Sequence, residues 1–168
     1  MNEPLPANLL KPLNKAIQFK KENKKFLQNL TRRKDVDQSF HPLHEEAFKR
    51  IDCLQCANCC KTTSPIFRDV DIDRIAKHLG MKSAQFTERY LHIDEENDWV
   101  LNTAPCAFLG ADNYCSIYDV RPKACREFPH TDRKNMHQIM DLTYKNTMVC
   151  PAVASIVDKL RMQRAQLG

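Results

Sequence analysis

Glycine is scarce in this sequence, with three residues among 168. The Rossmann and P-loop phosphate-binding motifs need glycines at fixed spacings, so both nucleotide-binding classes are excluded. Apolar runs are also short, far below the roughly 20 residues that a membrane-spanning helix needs. Residues 1–7 lack the basic, apolar and small-residue segments of a signal peptide. We therefore expect a cytoplasmic protein without a transmembrane helix.

Cysteine, by contrast, is abundant and unevenly placed. Half of the eight cysteines fall within residues 53–60, and the others are spread over the C-terminal half. The candidate metal ligands are Cys53, Cys56, Cys59, Cys60, Cys106, Cys115, Cys125 and Cys150. Spacers of two residues let successive sulfurs converge on one point, as in zinc and iron-sulfur proteins. A disulfide framework is the alternative for an even number of cysteines, but a reducing compartment favours metal binding.

The spacing also bears on which metal is bound. Cys53-x2-Cys56-x2-Cys59 matches the first three ligands of a bacterial ferredoxin cluster, whose next cysteine precedes a proline. Cys150 and Pro151 form such a pair, although far along the chain. Zinc usually takes two Cys-x2-Cys pairs, and the C-terminal half has no second pair. The predicted cofactor is therefore a 4Fe-4S cluster, with zinc as the alternative.

Adjacent Cys59 and Cys60 suggest how many centres there are. On an irregular or extended backbone, neighbouring side chains point in different directions. We therefore expect that Cys59 and Cys60 do not both bind one metal with Cys53 and Cys56, and that they serve two neighbouring centres. Eight thiolates divide into two four-cysteine sites, and one cluster with additional structural thiols is the other possibility.

The N-terminal part of the chain is strongly basic. Residues 1–34 contain nine Lys or Arg and two Glu. Residues 1–12 include three prolines and are expected to be extended or disordered, and a helix is predicted from near Leu13 to the region of Arg32. Residues 11–34 are a candidate surface for nucleic acid or an acidic protein. A solvated helix face is the alternative, because only Phe19 and Phe26 could stack on bases.

The remaining pattern predicts a fold class of mainly α with a small β-hairpin (α+β). Helices are expected over residues 43–51, 69–80 and 83–91 and after Pro122 and Pro151, where proline fits the first helical turn. A strand is predicted over residues 99–101 and a hairpin over 106–118, whereas 131–149 fits helix and extended chain equally. We predict residues 1–42 as a basic helical extension and residues 43–168 as a small single domain stapled by metal.

Three motifs together resemble a known family. They are Cys53-x2-Cys56-x2-Cys59-Cys60, Pro105-Cys106-Ala-Phe-Leu109, and residues 115–129 with the sequence CSIYDVRPKACREFP. These motifs are similar to the bacterial YkgJ-like cysteine-cluster family of the CxxCxxCC type, over roughly residues 50–150. The resemblance implies a zinc- or iron-chelating domain, and a related cysteine pattern occurs in flagellin lysine methylase, known for a 4Fe-4S cluster. This chain departs from many members in having Ala57 and Asn58 where glycine is common.

Two arginines in the last motif are candidate cofactor-binding residues. Arg121 and Arg126 are placed to donate to thiolate or sulfide and so help to hold an anionic cluster. Pairing with Asp119 or Glu127 is the alternative for either arginine.

Three functions fit these features. The first is a metal-cluster protein that transfers electrons or handles metal, and the second is an iron-sulfur enzyme related to flagellin lysine methylase. The third is a zinc-stapled interaction module that binds nucleic acid or protein through its basic helix. Asp112, His130 and His137 do not form a persuasive acid-base pair, so no catalytic residue is predicted.

Overall fold

The computed structural model describes residues 5–166. In chain order, the elements in this range are α1 (Ala7–Gln18), α2 (Lys20–Leu30), α3 (Asp37–Phe48), α4 (Cys53–Cys56), α5 (Asn58–Thr62), α6 (Asp69–His78), α7 (Ser83–Tyr90), β1 (Leu91–Ile93), β2 (Trp99–Leu101), a 3-10 turn (Tyr118–Val120), α8 (Lys123–Glu127), a second 3-10 turn (Met136–Ile139), α9 (Met140–Asn146) and α10 (Pro151–Ala165). The two strands form one antiparallel hairpin. This architecture confirms the predicted class of mainly α with a small β-hairpin. Between residues 5 and 166, every helix is too short or too polar to cross a membrane.

The chain folds into two compact units. The first contains the residues up to Cys56 and those from Pro129 onward, and the second is Ala57–Phe128. Cys53, Cys56 and Cys150 therefore belong to the first unit, and the other five cysteines belong to the second. The division into compact units does not test the predicted boundary between residues 42 and 43, which stays a prediction.

Helix α10 is the centre of the first unit. Pro151 occupies its first turn, where a missing N–H removes no helical hydrogen bond, as predicted. Its buried residues are Pro151, Ala152, Val153, Ala154, Ile156, Val157 and Leu160. A helix that is apolar over so much of its surface needs cover on several sides. Helices α1, α2, α3 and α9 provide that cover.

The N-terminal segment forms two helices rather than the single predicted one. Helix α1 begins at Ala7 and includes Pro12, and α2 starts after Phe19, whose φ of −100° and ψ of 29° leave the helical region. The expectation of extended or disordered chain over residues 1–12 is therefore wrong for residues 7–12, and residues 1–4 lie outside the described range. The apolar face of α1 packs on α10, which supplies the stability that an isolated short helix lacks.

The second unit begins with the α6–α7 pair. Asp69 starts α6 and Gly80, with a φ of +69°, follows its end, which confirms the predicted helix. Helix α7 leads directly into β1, and β2 lies where the sequence predicts a strand. The core of this unit consists of Phe67, Ile72, Ile75, Ala76, Phe86, Leu91, Leu101, Phe108 and Ile117. Cys106 and Cys115 pack against this core.

The structure decides two further predictions, the hairpin over residues 106–118 and the helical or extended stretch over residues 131–149. In the predicted 106–118 hairpin, a single bridge pairs Leu109 with Cys115, and the Gly110 N–H donates to the Tyr114 carbonyl over 2.8 Å. The chain therefore turns where expected but forms no strands there. Residues 136–146 form a 3-10 turn and α9, so the helical alternative is correct for this stretch.

Candidate metal centre

The Cys-rich motif forms two short helices, α4 and α5, that are separated by one residue. Ala57 separates α4 from α5 and has a φ of 44° and a ψ of 17°, in the left-handed region. Cys59 and Cys60 both lie in α5, so the expectation of an irregular or extended backbone there is wrong. Their sulfur atoms are 4.0 Å apart. Because a tetrahedral zinc site with bonds of about 2.3 Å spaces its sulfurs about 3.8 Å apart, this adjacent pair can serve one centre.

Four cysteines of the second unit form what we call the four-cysteine group: Cys60, Cys106, Cys115 and Cys125. Each comes from a different segment: α5, the loop after β2, the bridge to Leu109, and α8. The Cys106 N–H donates to the Cys60 carbonyl over 2.8 Å, which joins two of these segments. The group thus depends on contacts between residues that are up to 65 positions apart in sequence.

The thiols of the four-cysteine group affect each other electrostatically. Burial raises the pKa of Cys106 to about 11, and negative charge on Cys60 and Cys115 adds to the effect. Burial likewise raises the pKa of Cys125 to about 12, with contributions from Cys60, Cys106 and Cys115. Such mutual effects require the four sulfurs to lie close together. A bound cation would instead lower the pKa of each thiol that binds it, because metal binding favours the thiolate.

Three cysteines of the first unit form a second group, the three-cysteine group: Cys53, Cys56 and Cys150. Cys150 directly precedes α10 and is buried. Burial raises its pKa to about 12, and negative charge on Cys56 and Cys53 adds to this, whereas the N–H groups of Val153 and Ala152 lower it. These contributions indicate that Cys150 lies near Cys53 and Cys56 within the first unit.

The two candidate arginines differ in their surroundings. The Arg121 guanidinium lies 3.8 Å from the centre of the Tyr118 ring and donates to the Tyr118 carbonyl over 2.6 Å. Its positive charge lowers the pKa values of Cys115 and Cys125, against the larger effect of burial. Arg126 is exposed. Among the two, the geometry favours Arg121 as the residue that balances thiolate charge.

The sequence gives no indication of a buried carboxylate that contacts the start of α8. The Asp71 side chain is 0% exposed and accepts hydrogen bonds from Arg68, Arg74 and the backbone N–H of Lys123. The sequence predicts residue 71 only as part of the helix over residues 69–80. Its contact with Lys123 spans 52 residues, and a single sequence carries no signal for such a contact.

No acid-base pair is predicted among Asp112, His130 and His137. Asp112 accepts the Tyr114 N–H in the turn after Gly110, which is a structural role. Asp112 lies in the second unit, whereas His130 and His137 lie in the first.

Within residues 5–166, no three His, Cys, Asp or Glu side chains are already arranged as a metal site. Ligand assignments therefore depend on the proximity of the thiols and on their chemistry.

Several basic residues of the 11–34 segment contact the protein itself. Lys15 forms a 2.6 Å ion pair with Asp158, and the Lys24 ammonium lies 5.8 Å from the centre of the Tyr144 ring. These contacts attach the N-terminal helices to α10 and α9. They support a packing role for part of the basic surface and give no support to a nucleic-acid or protein partner.

Comparison with known families identifies the cysteine-containing part of the chain. A family model named CxxCxxCC, described as "Putative zinc- or iron-chelating domain", matches residues 52–151. The chain belongs to the CxxCxxCC family. The CxxCxxCC match contains all eight cysteines, and thiolate donors suit both zinc and iron. No curated protein and no solved structure matches the chain significantly.

Proposed function

We propose that this CxxCxxCC protein holds a 4Fe-4S cluster through its cysteines and transfers electrons or handles iron. The observation that carries this proposal is the three-cysteine group. A ferredoxin-type cluster uses cysteines spaced by two residues together with a distant cysteine that precedes a proline. Cys53 and Cys56 supply the first part, and Cys150 with Pro151 supplies the second, within one compact unit.

Cys59 continues the same spacing along the chain. It is also a proposed metal ligand, and its sulfur lies 4.0 Å from that of Cys60 in the second unit. The thiols would bind iron and orient the cluster, which itself would supply one-electron redox chemistry. The half-buried Arg121 would balance anionic charge near Cys115 and Cys125.

Zinc is the second candidate, and the four-cysteine group favours it. Structural zinc sites take four cysteine thiolates with no open position. The lack of a second Cys-x2-Cys pair weighed against zinc at the level of sequence. In the fold, tertiary contacts bring Cys60, Cys106, Cys115 and Cys125 together without such a pair. The two groups thus support two centres, one in each unit.

Elemental analysis of protein purified without oxygen tests both candidates. Iron, acid-labile sulfide and an absorption band near 400 nm (roughly where thiolate-ligated clusters absorb) are expected. Cys56→Ser should lose the iron, sulfide and band, whereas Leu54→Ser, in the same short helix, should keep them. Stoichiometric zinc in a colourless sample would instead favour the zinc candidate.

A second variant tests metal binding by the four-cysteine group. Cys125→Ser should lose metal that Ala124→Ser, one position earlier in α8, retains. Full metal content in both Cys56→Ser and Cys125→Ser would contradict the assignment of these thiols as ligands.

A further inference from the structure

Helix α6 holds the backbone that leads to Cys125. The buried Asp71 carboxylate accepts the Lys123 N–H over 3.2 Å, and Lys123 is the first residue of α8. The same oxygen, Oδ1, accepts Nη2 of Arg74 over 2.7 Å. The other oxygen, Oδ2, accepts Nε and the backbone N–H of Arg68 over 3.2 and 3.3 Å. One carboxylate thus holds the beginning of α6 and the beginning of α8.

Arg74 extends this network to the two residues before Pro122. Its Nε donates to the Val120 carbonyl over 3.1 Å, and its Nη2 donates to the Arg121 carbonyl over 2.9 Å. Together with the Lys123 N–H, three backbone groups within residues 120–123 are bound by Asp71 or Arg74. This stretch is the whole connection between the 3-10 turn that follows Cys115 and the helix that carries Cys125.

Helix α8 is too short to hold its position without contacts to the rest of the second unit. It is five residues long, and none of its residues is fully buried. A helix of that length is unstable by itself, because nucleation costs more than a few hydrogen bonds return. The bond from Lys123 to Asp71 therefore fixes where α8 starts. Cys125, two residues later, takes its place from that start.

We propose that Asp71 and Arg74 are positioning residues that set how tightly the four-cysteine group holds metal. The inference rests on the proposed role of those thiols as ligands and assigns a new role to residues outside the cysteine motifs. Groups that orient metal ligands typically change metal affinity by about 10- to 100-fold when they are removed. Asp71 and Arg74 act one step further out, through the backbone of residues 120–123.

Cobalt(II) binding to the full-length protein tests this inference. Thiolate-to-cobalt absorption would be titrated in the wild type, Asp71→Asn and Arg74→Lys, and affinity would be read by competition with zinc. The Cys125→Ser variant identifies the part of the signal that depends on Cys125. Asp69→Asn is the matched control, because Asp69 is an exposed acid in the same first turn of α6.

We expect Asp71→Asn and Arg74→Lys to weaken the Cys125-dependent binding by at least tenfold and to shift its absorption band. Arg74→Lys keeps the charge but lacks the planar guanidinium that donates to Asp71 and to the Val120 and Arg121 carbonyls at once. Asp69→Asn should bind as the wild type does. If Asp71→Asn fails to fold, Arg74→Lys alone decides the matter.

A purely structural role would give a different result. In that case the melting temperature of the metal-free protein would fall in both variants, while cobalt affinity and band position stayed at wild-type values, and the inference would be overturned. Wild-type protein with no Cys125-dependent cobalt signal would overturn the ligand assignment itself. The two failures are therefore distinguishable.

Discussion

At the scale of single residues, Ala57 has the most unusual backbone conformation in the Cys-rich motif. Its φ of 44° lies in the left-handed region, and it is 5% exposed. This conformation costs a residue with a Cβ roughly 1 kcal/mol, and a β-branched residue adopts it far less readily. Glycine would adopt this conformation without that cost.

Substitutions at Ala57 should separate backbone strain from side-chain size. Ala57→Val should lose about 2 kcal/mol of unfolding free energy, since strained conformations cost about 1 to 3 kcal/mol. Ala57→Gly should differ from the wild type by less than about 1 kcal/mol, because relief of strain is offset by a more flexible unfolded chain. Urea unfolding measures both. Ala84→Val, on the exposed face of α7, is the control. Equal losses of unfolding free energy in Ala57→Val and Ala84→Val would contradict the role of backbone strain at Ala57.

At the scale of elements, a side chain of α3 caps the 3-10 turn at Met136–Ile139. Asp37 accepts the N–H groups of Asn135 and Met136 over 2.8 and 2.7 Å. Burial alone raises its pKa, but these two bonds and the charges of His41 and His137 outweigh burial, so its pKa is lowered. The contact connects α3 with a turn about 100 residues later in the chain.

Asp37 should therefore contribute to acid sensitivity. A carboxyl whose pKa is lower in the folded state stabilises the fold above its unfolded pKa, and this stabilisation is lost as the pH falls through the folded pKa. Asp37→Asn should cost roughly 1 kcal/mol at pH 7, and the difference from the wild type should shrink toward pH 2. Urea unfolding across this pH range measures it. Asp141→Asn, on an exposed position of α9, is the control; a difference that is constant with pH would refute the assignment.

At the scale of the whole molecule, each unit has cysteines beside its buried residues. Cys106 and Cys115 pack against the small core of the second unit, and Cys150 lies at the start of the central helix of the first. Metal that binds the folded chain adds its binding free energy to stability. Metal content should therefore have a large effect on unfolding.

Removal of metal by a chelator should lower the melting temperature by roughly 10 to 20 °C, since a loss of about 5 kcal/mol has that effect in a protein of this size. The single tryptophan, Trp99, packs against the second-unit core and reports on that unit by fluorescence. Circular dichroism follows the helices as a whole. An unchanged melting temperature after complete metal removal would show that the metal does not stabilise the fold.

Local signals explain most of the correct predictions from sequence. Asp69 and Gly80 mark the ends of α6, and Pro151 marks the start of α10. The break at Phe19 was missed, because α1 and α2 present a continuous stripe of apolar residues in the sequence. The helical geometry of Cys59 and Cys60 was missed as well, since five-residue helices have too few residues to show a period.

The sequence by itself determined the chemistry of this protein: eight thiols, their two-residue spacings and membership of the CxxCxxCC family. Only the tertiary structure decided which thiols come together: Cys53, Cys56 and Cys150 in one unit, and Cys60, Cys106, Cys115 and Cys125 in the other. It also revealed the contact of Asp71 with the start of α8. The reason is physical. Caps, turns and periodicity act over a few residues, whereas the convergence of ligands depends on the path of the whole chain between them.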